Sequence, residues 1–523
     1  MSPAGASRPP WPGGAAAAAG QGPDVDPAVL DAALRELAAR AVRERPAAVA
    51  ADPWRQQFHV QPPVGLLNDP NGLVQHQGTY HLCYQWHPFG PKHALKFWAH
   101  VTSTDLVRWS APEVALAPSR PYESHGCYSG SGIVADGQVR VLYTGNVRTP
   151  DGGRTPYQLL ATLDADGTFA KDAANPIVGT IPGCSPHVRD PKVWQRDGRY
   201  WMVLGAQTED LHGTVLLLSS PDLRSWTLLG PIAGTAQDPY GYMWECPDLL
   251  HLDGREVLVI SPQFDDGEAA GARRWRDVSV YAVGSLDTAA PSFERHGAFR
   301  PIDAGPDFYA PQTFVAEDGR TIMLGWFGMP DHDGQPPLEQ KHPSAANGWV
   351  HCLTVPREVR LQDGDLVQWP VAELAALREG AGTGAALRLA AGQRQEVPGA
   401  AGTALDLQLT AVCEPGAALT LQLRDGAAGR PVQLVFDPHA GTVQLDRRLL
   451  GTGEGGVAAG AVRPGGTVDA RVLLDHSSVE VFVDGGRLAM SARIYPRDGQ
   501  DGVTLAASGR VDADVRVWQL RRA

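Results

Sequence analysis

Cysteine is scarce in this chain. Six thiols are spread over 523 residues, at Cys83, Cys127, Cys184, Cys246, Cys352 and Cys413, with no CxxC spacing. That excludes a zinc finger or ribbon and a small disulfide-stapled fold, and reads as reduced, mostly buried thiols. Basic residues are in deficit: 45 Lys and Arg face 58 Asp and Glu, a formal charge of −13. Such a balance argues against nucleic acid or an anionic membrane as the main partner. No apolar run is long enough to span a bilayer. No basic stretch followed by an apolar one opens the chain, and the Ala run at 15–19 is too short to serve. Composition therefore fits a cytoplasmic location. The length allows two cored domains, and nothing in it reports oligomeric state.

What is present is a repeat. Five Gly-containing turns, Gln77-Gly78, Asp136-Gly137, Asp197-Gly198, Asp253-Gly254 and Asp318-Gly319, each precede an apolar strand: YHLCYQW, VRVLYTG, YWMVLGA, EVLVISP and TIMLGWF. The turns recur about every 60 residues, a period that predicts an all-β propeller of five small sheets rather than a helical solenoid. A second echo supports it. Ser103-Thr104-Asp105-Leu106-Val107-Arg108-Trp109 returns as Ser220-Pro221-Asp222-Leu223-Arg224-Ser225-Trp226. These Trp residues are expected to anchor outer strands, and the Asp-Gly turns are hairpin chemistry, not binding motifs.

Four segments follow from this reading. Residues 1–55 form an N-terminal extension, Ala-, Gly- and Pro-rich and disordered to about residue 23. A short helix then starts at Asp26-Pro27, with Leu30, Leu34, Leu37 and Ala41 on one side. Residues 56–370 carry the propeller. Residues 371–402, rich in Ala and Gly, read as an irregular connector. Residues 403–523 alternate apolar and polar with Gly-rich turns, which predicts an antiparallel β-sandwich in a supporting role.

Eight or nine residues before three of the turn glycines stand Asp69 (in Asn-Asp-Pro-Asn-Gly), Asp190 (in Arg-Asp-Pro) and Glu245 (in Glu-Cys-Pro). Ser129 and Tyr309-Ala310 hold the corresponding places in the other two units. Equivalent positions in units arranged about an axis face one place, so three acids are aimed at one pocket. Each motif alone reads equally well as a turn. Three acids also suit a hard cation, but such sites draw on one compact loop or on many carbonyls. Aromatics close to the motifs in sequence, Trp98, Tyr128, Trp244, Tyr309 and Trp326, favour a sugar. Cleavage of a glycoside needs a proton donor for the leaving oxygen and a carboxylate across the ring. The donor must hold its proton near neutrality, and neighbouring carboxylates act in that direction. A non-catalytic carbohydrate-binding propeller and an inverting arabinan-type propeller remain open on these residues.

The motifs PPVGLLNDPNGL (62–73), FWAHVTSTDLVRW (97–109), YSGSGIV (128–134), RDPKVW (189–194), MWECPDLL (243–250), DFYAPQTF (307–314), LTVPREV (353–359) and DHSSVEVFVDGG (475–486) together resemble glycoside hydrolase family 32, the β-fructofuranosidases. The resemblance implies a five-bladed propeller followed by a sandwich, no metal and no cofactor. It also implies retaining cleavage of a terminal β-fructosyl bond of sucrose or sucrose 6-phosphate. Fructan hydrolysis or fructosyl transfer on the same site is the alternative. By motif, Asp69 is the implied nucleophile, Glu245 the acid/base and Asp190 the transition-state stabiliser, with the two reacting carboxyls about 5–5.5 Å apart. Asn68, Gln85, Trp98, Tyr128, Ser129, Arg189, Tyr309 and Trp326 are the implied fructose pocket. One stretch departs from many invertases: His93 stands where they carry Trp. The run His93-Ala94-Leu95-Lys96-Phe97-Trp98 is similar to the branch that hydrolyses sucrose 6-phosphate. That makes Lys96 and His93 expected phosphate contacts, against a reading of Lys96 as a solvated loop charge.

Overall fold

The computed structural model describes residues 25–523 apart from 46, 166, 235–239, 266–274, 332–336, 428, 449 and 451–455. The expected disorder of residues 1–23 lies outside the described residues. Five four-stranded meanders follow one another, with inner strands Gly65–His76, Cys127–Ala135, Cys184–Arg196, Met243–Leu252 and Tyr309–Val315. Each inner strand touches the next, and the fifth touches the first, so the sheets close into a five-bladed ring. Trp349–Val350, late in the chain, pairs in parallel with Gly65–Leu66 and ties blade five to blade one.

The turns behave as their chemistry requires. In the first four, both central residues have positive φ: Gln77 and Gly78, Asp136 and Gly137, Asp197 and Gly198, Asp253 and Gly254. That is the two-residue hairpin geometry matching strand twist. The fifth is wider: only Gly319 has positive φ, and Ala316 N–H closes it on the Arg320 carbonyl at 2.8 Å. The echoed segments fold alike. The Trp109 and Trp226 indoles donate to Leu106 and Leu223 carbonyls at 3.1 and 2.9 Å, and both Leu residues have positive φ. These Trp residues pack against blade cores, as structural anchors.

Side chains also belt the inner strands together. Asn71 Oδ1 accepts from Gly130 N–H (3.0 Å), and Ser131 Oγ donates to the Pro191 carbonyl (2.8 Å). Lys192 Nζ reaches Asp248 (3.0 Å), which also accepts from Thr313 N–H (2.7 Å). These bonds join blades one to two, two to three, and three to four and five, holding the axis rigid beneath the site.

The helix Pro27–Arg43 is capped by Asp26, whose carboxylate accepts from Ala28 N–H at 2.7 Å. It buries Leu34 and Ala38 against blade one, and Arg35 donates to the Ala115 carbonyl at 2.9 Å. The C-terminal part is a sandwich of two six-stranded sheets. Its alternating strands, such as Leu405–Cys413 and Leu419–Asp425, send Leu405, Leu407, Leu409, Leu419 and Leu421 into a shared core. The stretch 371–402 differs from the expected irregular connector. After a 3-10 turn at Ala372–Leu377, strands Thr383–Leu389 and Arg394–Glu396 hydrogen-bond into the two sandwich sheets as edge strands. Edge strands expose most of their side chains, so small residues suffice there and no apolar alternation marks them.

Propeller and sandwich meet through buried charge. His59 donates to Asp475 Oδ2 (2.7 Å) and Glu480 Oε1 (2.9 Å). Arg357 reaches Glu480 Oε2 (2.5 Å) and Asp303 Oδ2 (2.9 Å), and all five side chains are inaccessible to solvent. The DHSSVEVFV stretch is therefore a docking seam.

Candidate active site

Every inner strand is bulged at the same height. The pairing register slips between Leu67 and Pro70, Cys127 and Gly130, Arg189 and Lys192, Glu245 and Asp248, and Tyr309 and Gln312. In three blades a Pro (191, 247, 311) sits in the bulge, where no ladder donor is needed, and in the first Pro70 follows the bulge, opposite Tyr84. In those three, the residue before the Pro has positive φ: Asp190 (65°), Cys246 (44°) and Ala310 (46°). A bulge re-aims side chains and stores strain. Here it turns consecutive residues of each blade toward the mouth of the ring. Aligned on these prolines, Asp69 and Asp190 share a place. Glu245 lies one position earlier, with Asn68, Arg189 and Tyr309. Counting back from the turns puts all three acids in one register; the bulge explains why the offset does not matter, since both positions face the funnel.

A cavity of about 960 Å³ opens there, lined by Asp69, Asp190 and Glu245 together with Asn68, Gln85, Tyr128, Arg189, Tyr309 and Trp326. Trp98, Trp244 and Ser129 are not on its wall. Trp98 is fully buried and donates to the Tyr128 carbonyl (3.1 Å), holding that residue from behind. Trp244 is wedged between blades and donates to the Tyr240 carbonyl (2.5 Å). Ser129 works from beneath: its hydroxyl donates to Asp69 Oδ2.

Asp69 is held by neutral donors. Besides Ser129, Asn68 Nδ2 donates to Oδ1 at 3.1 Å. Asn68 is oriented in turn, donating to Gln85 Oε1 (2.7 Å) and accepting from Lys96 Nζ (2.7 Å). Burial raises the Asp69 pKa against these donors, and the Glu245 charge adds to the rise. Asp190 accepts from Cys246 N–H at 2.9 Å, while the Arg189 guanidinium stays 3.8 Å away. Burial pushes Asp190 up to about 7, only partly opposed by Arg189. Glu245 is gripped on both oxygens. Arg189 Nη2 donates to Oε1 (2.7 Å), while Gln263 Nε2 and Tyr309 Oη each donate to Oε2 (2.9 Å). Burial works against the Arg189 charge, but Glu245 and Asp190 outweigh it and hold the guanidinium charged.

Lys96 is not a solvated loop charge. It is 5% exposed, and its ammonium also donates to His93 Nδ1 at 3.0 Å. Burial lowers its pKa to about 7, opposed by Asp69. His93 is pushed well down by burial and by Lys96, so it stands neutral, with its ring edge on Trp326. His93 thus replaces one aromatic wall member by another that also accepts a proton bond. His87, which borders the cavity, donates from Nδ1 to the Leu95 carbonyl (2.9 Å). The buried Trp326 Nε1 and His87 Nε2 have no hydrogen-bond partner among the described residues. Among the described residues no group of three or more His, Cys, Asp or Glu is placed to hold a metal ion.

Sequence reading missed Gln263, His187, Arg148 and Arg154 on this cavity; they sit in strands and turns that carry no motif.

The model of the glycosyl hydrolases family 32 N-terminal domain matches residues 59–370, and that of the family 32 C-terminal domain matches 373–519. The chain belongs to glycosyl hydrolase family 32. It is 39% identical over 504 residues to the sucrose-6-phosphate hydrolase of Bacillus subtilis, spanning 94% of this chain and 99% of that one. It is 40% identical to the enzyme of the same name from Klebsiella pneumoniae, over 90% and 94% of the two chains. In three dimensions it is similar to the sucrose-6-phosphate hydrolase of Lactobacillus gasseri, with TM-score 0.81, 27% identity, and 92% and 96% of the chains covered. It is also similar to the family 32 β-fructofuranosidase BmSUC1 of Bombyx mori, with TM-score 0.78, 30% identity, and 94% and 99% covered. Family membership makes this chain a glycosidase.

Proposed function

We propose that this glycosidase cleaves the terminal β-fructofuranosyl bond of sucrose or sucrose 6-phosphate with retention. The observation that carries the reading is the unequal dressing of two carboxyls in one funnel. Among the described residues Asp69 receives only uncharged donors, a hydroxyl, an amide and a thiol, which orient it without neutralising it, as a nucleophile requires. Glu245 is fixed by a guanidinium, an amide and a phenol, which set its direction. Cys246, next to Glu245, touches Asp69 Oδ2 through its sulfur at 3.8 Å, which supports the close spacing that retention needs.

Asp69 attacks the anomeric carbon while Glu245 gives its proton to the departing glucosyl oxygen, leaving a fructosyl ester on Asp69. Glu245 then takes a proton from water, the water oxygen bonds to the anomeric carbon, and the Asp69 carboxylate departs. Asp190 hydrogen-bonds fructose hydroxyls, most strongly as positive charge develops on the ring. The test is NMR of the first-released sugar, with rates for wild type, Asp69→Asn and Glu245→Gln. Retention and a loss of about four orders of magnitude or more in kcat for Asp69→Asn are expected, with unaltered folding. Inverted product, or an active Asp69→Asn enzyme, would overturn the mechanism.

A further inference from the structure

Cations that the mechanism does not use line one side of the funnel. Arg148 and Arg154 stand at the two ends of a hairpin in blade two, paired across it, and both border the cavity with His125 and His187. We infer that Arg148 and Arg154 form a phosphomonoester-binding wall for the leaving hexose, resting on the proposed glycoside cleavage.

Its position comes from a chain of contacts. Glu245, the proton donor to the leaving oxygen, is bonded to Arg189. Arg189 Nη1 lies 3.1 Å from His187 Nδ1, and Arg154 Nη1 lies 3.4 Å from the same atom. The wall is thus reached through the acid/base, on the leaving-group side. Lys96 and His93 are reached through Asn68 and Asp69, on the fructosyl side, and the Lys96 ammonium is already committed to both Asn68 and His93. A phosphate carried by the leaving sugar meets the arginines, not the lysine, so the phosphate contacts expected at Lys96 and His93 move to blade two.

The chemistry fits. Among the described residues neither Arg148 nor Arg154 has a carboxylate ion pair. Asp151, in the turn between them, is occupied by Thr149 Oγ1 (2.5 Å) and Gly153 N–H (3.4 Å). His187, facing two guanidinium donors, accepts through Nδ1. It is pushed down to about 3 by burial and by the arginines, so it gathers them without adding charge. Burial and Arg189 lower Arg154 to about 10, the state of a cation in want of an anion. His125 Nδ1 accepts from Arg148 N–H (3.1 Å) and faces the Ser124 hydroxyl (3.0 Å), which leaves Nε2–H as a further donor. Guanidinium forks are the side chains best matched to phosphate oxygens.

The experiment measures kcat/KM for sucrose and sucrose 6-phosphate in wild type, Arg148→Gln, Arg154→Gln and Lys96→Met, with inhibition by glucose and glucose 6-phosphate. Each arginine variant should lower the preference for the phosphorylated substrate by about 10- to 30-fold, the loss of one charge-assisted bond. Glucose 6-phosphate inhibition should weaken in parallel, while glucose inhibition holds. Lys96→Met should lower both substrates together. An unchanged preference in both arginine variants, or a shifted one in Lys96→Met alone, overturns the wall. Wild-type turnover of sucrose without its 6-phosphate also overturns it and leaves the proposed reaction standing. Turnover of neither sinks the proposed function itself.

Discussion

The funnel and the propeller–sandwich seam both bury carboxylates, and they finish them in opposite ways. At the seam, Asp475 accepts from Gln57, Phe58 and His476 N–H groups and from His59. Glu480 accepts from His59, Val355 N–H and two nitrogens of Arg357. Burial opposes both charges, yet these partners bring both pKa values below the ordinary range. In the funnel, Asp190 has a single backbone donor and no cation within 3.5 Å, and it rises to about 7. The seam is complete without a ligand; the funnel leaves Asp190 short of partners that a sugar's hydroxyls can supply. Unsatisfied buried acids cost stability, and the cost falls where the chemistry is.

That contrast breaks most directly at Arg357. Its replacement, Arg357→Met, strands Asp303 and Glu480 in the interior. A loss of about 3–5 kcal/mol is expected, read as a lowered melting temperature and as new proteolytic cleavage between the domains. An unmoved transition would mean that the seam is not holding the domains. Asp190→Asn should do the reverse: catalysis falls by roughly 10²–10³-fold, while the fold gains stability. With a folded pKa of about 7 against an ordinary 3.8, the native state holds a proton that the unfolded chain releases. Wild-type stability from this group therefore declines as pH rises from about 4 to 7 and is level above. The melting advantage of Asp190→Asn should be absent near pH 4 and full by pH 8. A variant less stable at pH 8 would show that Asp190 is satisfied after all.

What the chain discloses in its letters follows the same division. Local chemistry is legible: positive-φ turns built on Asp-Gly mark the hairpins, period-two alternation marks the sandwich strands, and an acid one or two residues before Pro marks three of the five bulged inner strands. Side-chain depth is not. Trp244 and Ser129 share motifs with the pocket residues Glu245 and Tyr128, but bulge geometry turns those neighbours to the cavity and leaves Trp244 and Ser129 behind the wall, while Trp98 sits on an outer strand. Strands 383–389 and 394–396 hide in Ala- and Gly-rich composition, because an edge strand needs no apolar face. The seam is invisible for a simpler reason: His59 and Asp475 are more than 400 residues apart, and no periodicity links them. Arg148 and Arg154 carry no motif at all; only the hairpin brings them together.

The smallest effect is a slope, and it separates the two regions by pH alone. Both nitrogens of His59 face carboxylates, so both must donate and the ring is an imidazolium. Burial opposes that charge, but Asp475 and Glu480 prevail and raise its pKa above 6.5. A raised histidine contributes stability that is complete below pH 6.5 and is lost as pH climbs through the folded value. The two acids, lowered, contribute above pH 3.8 and 4.5 and fail only on deeper acidification. His59→Gln keeps a donor but no charge, so the variant should melt below wild type at pH 6. The gap should narrow toward alkaline pH, as the wild-type ring loses its proton. A gap that stays constant with pH would mean that His59 is neutral in the fold. The charge facing Glu480 would then come from Arg357.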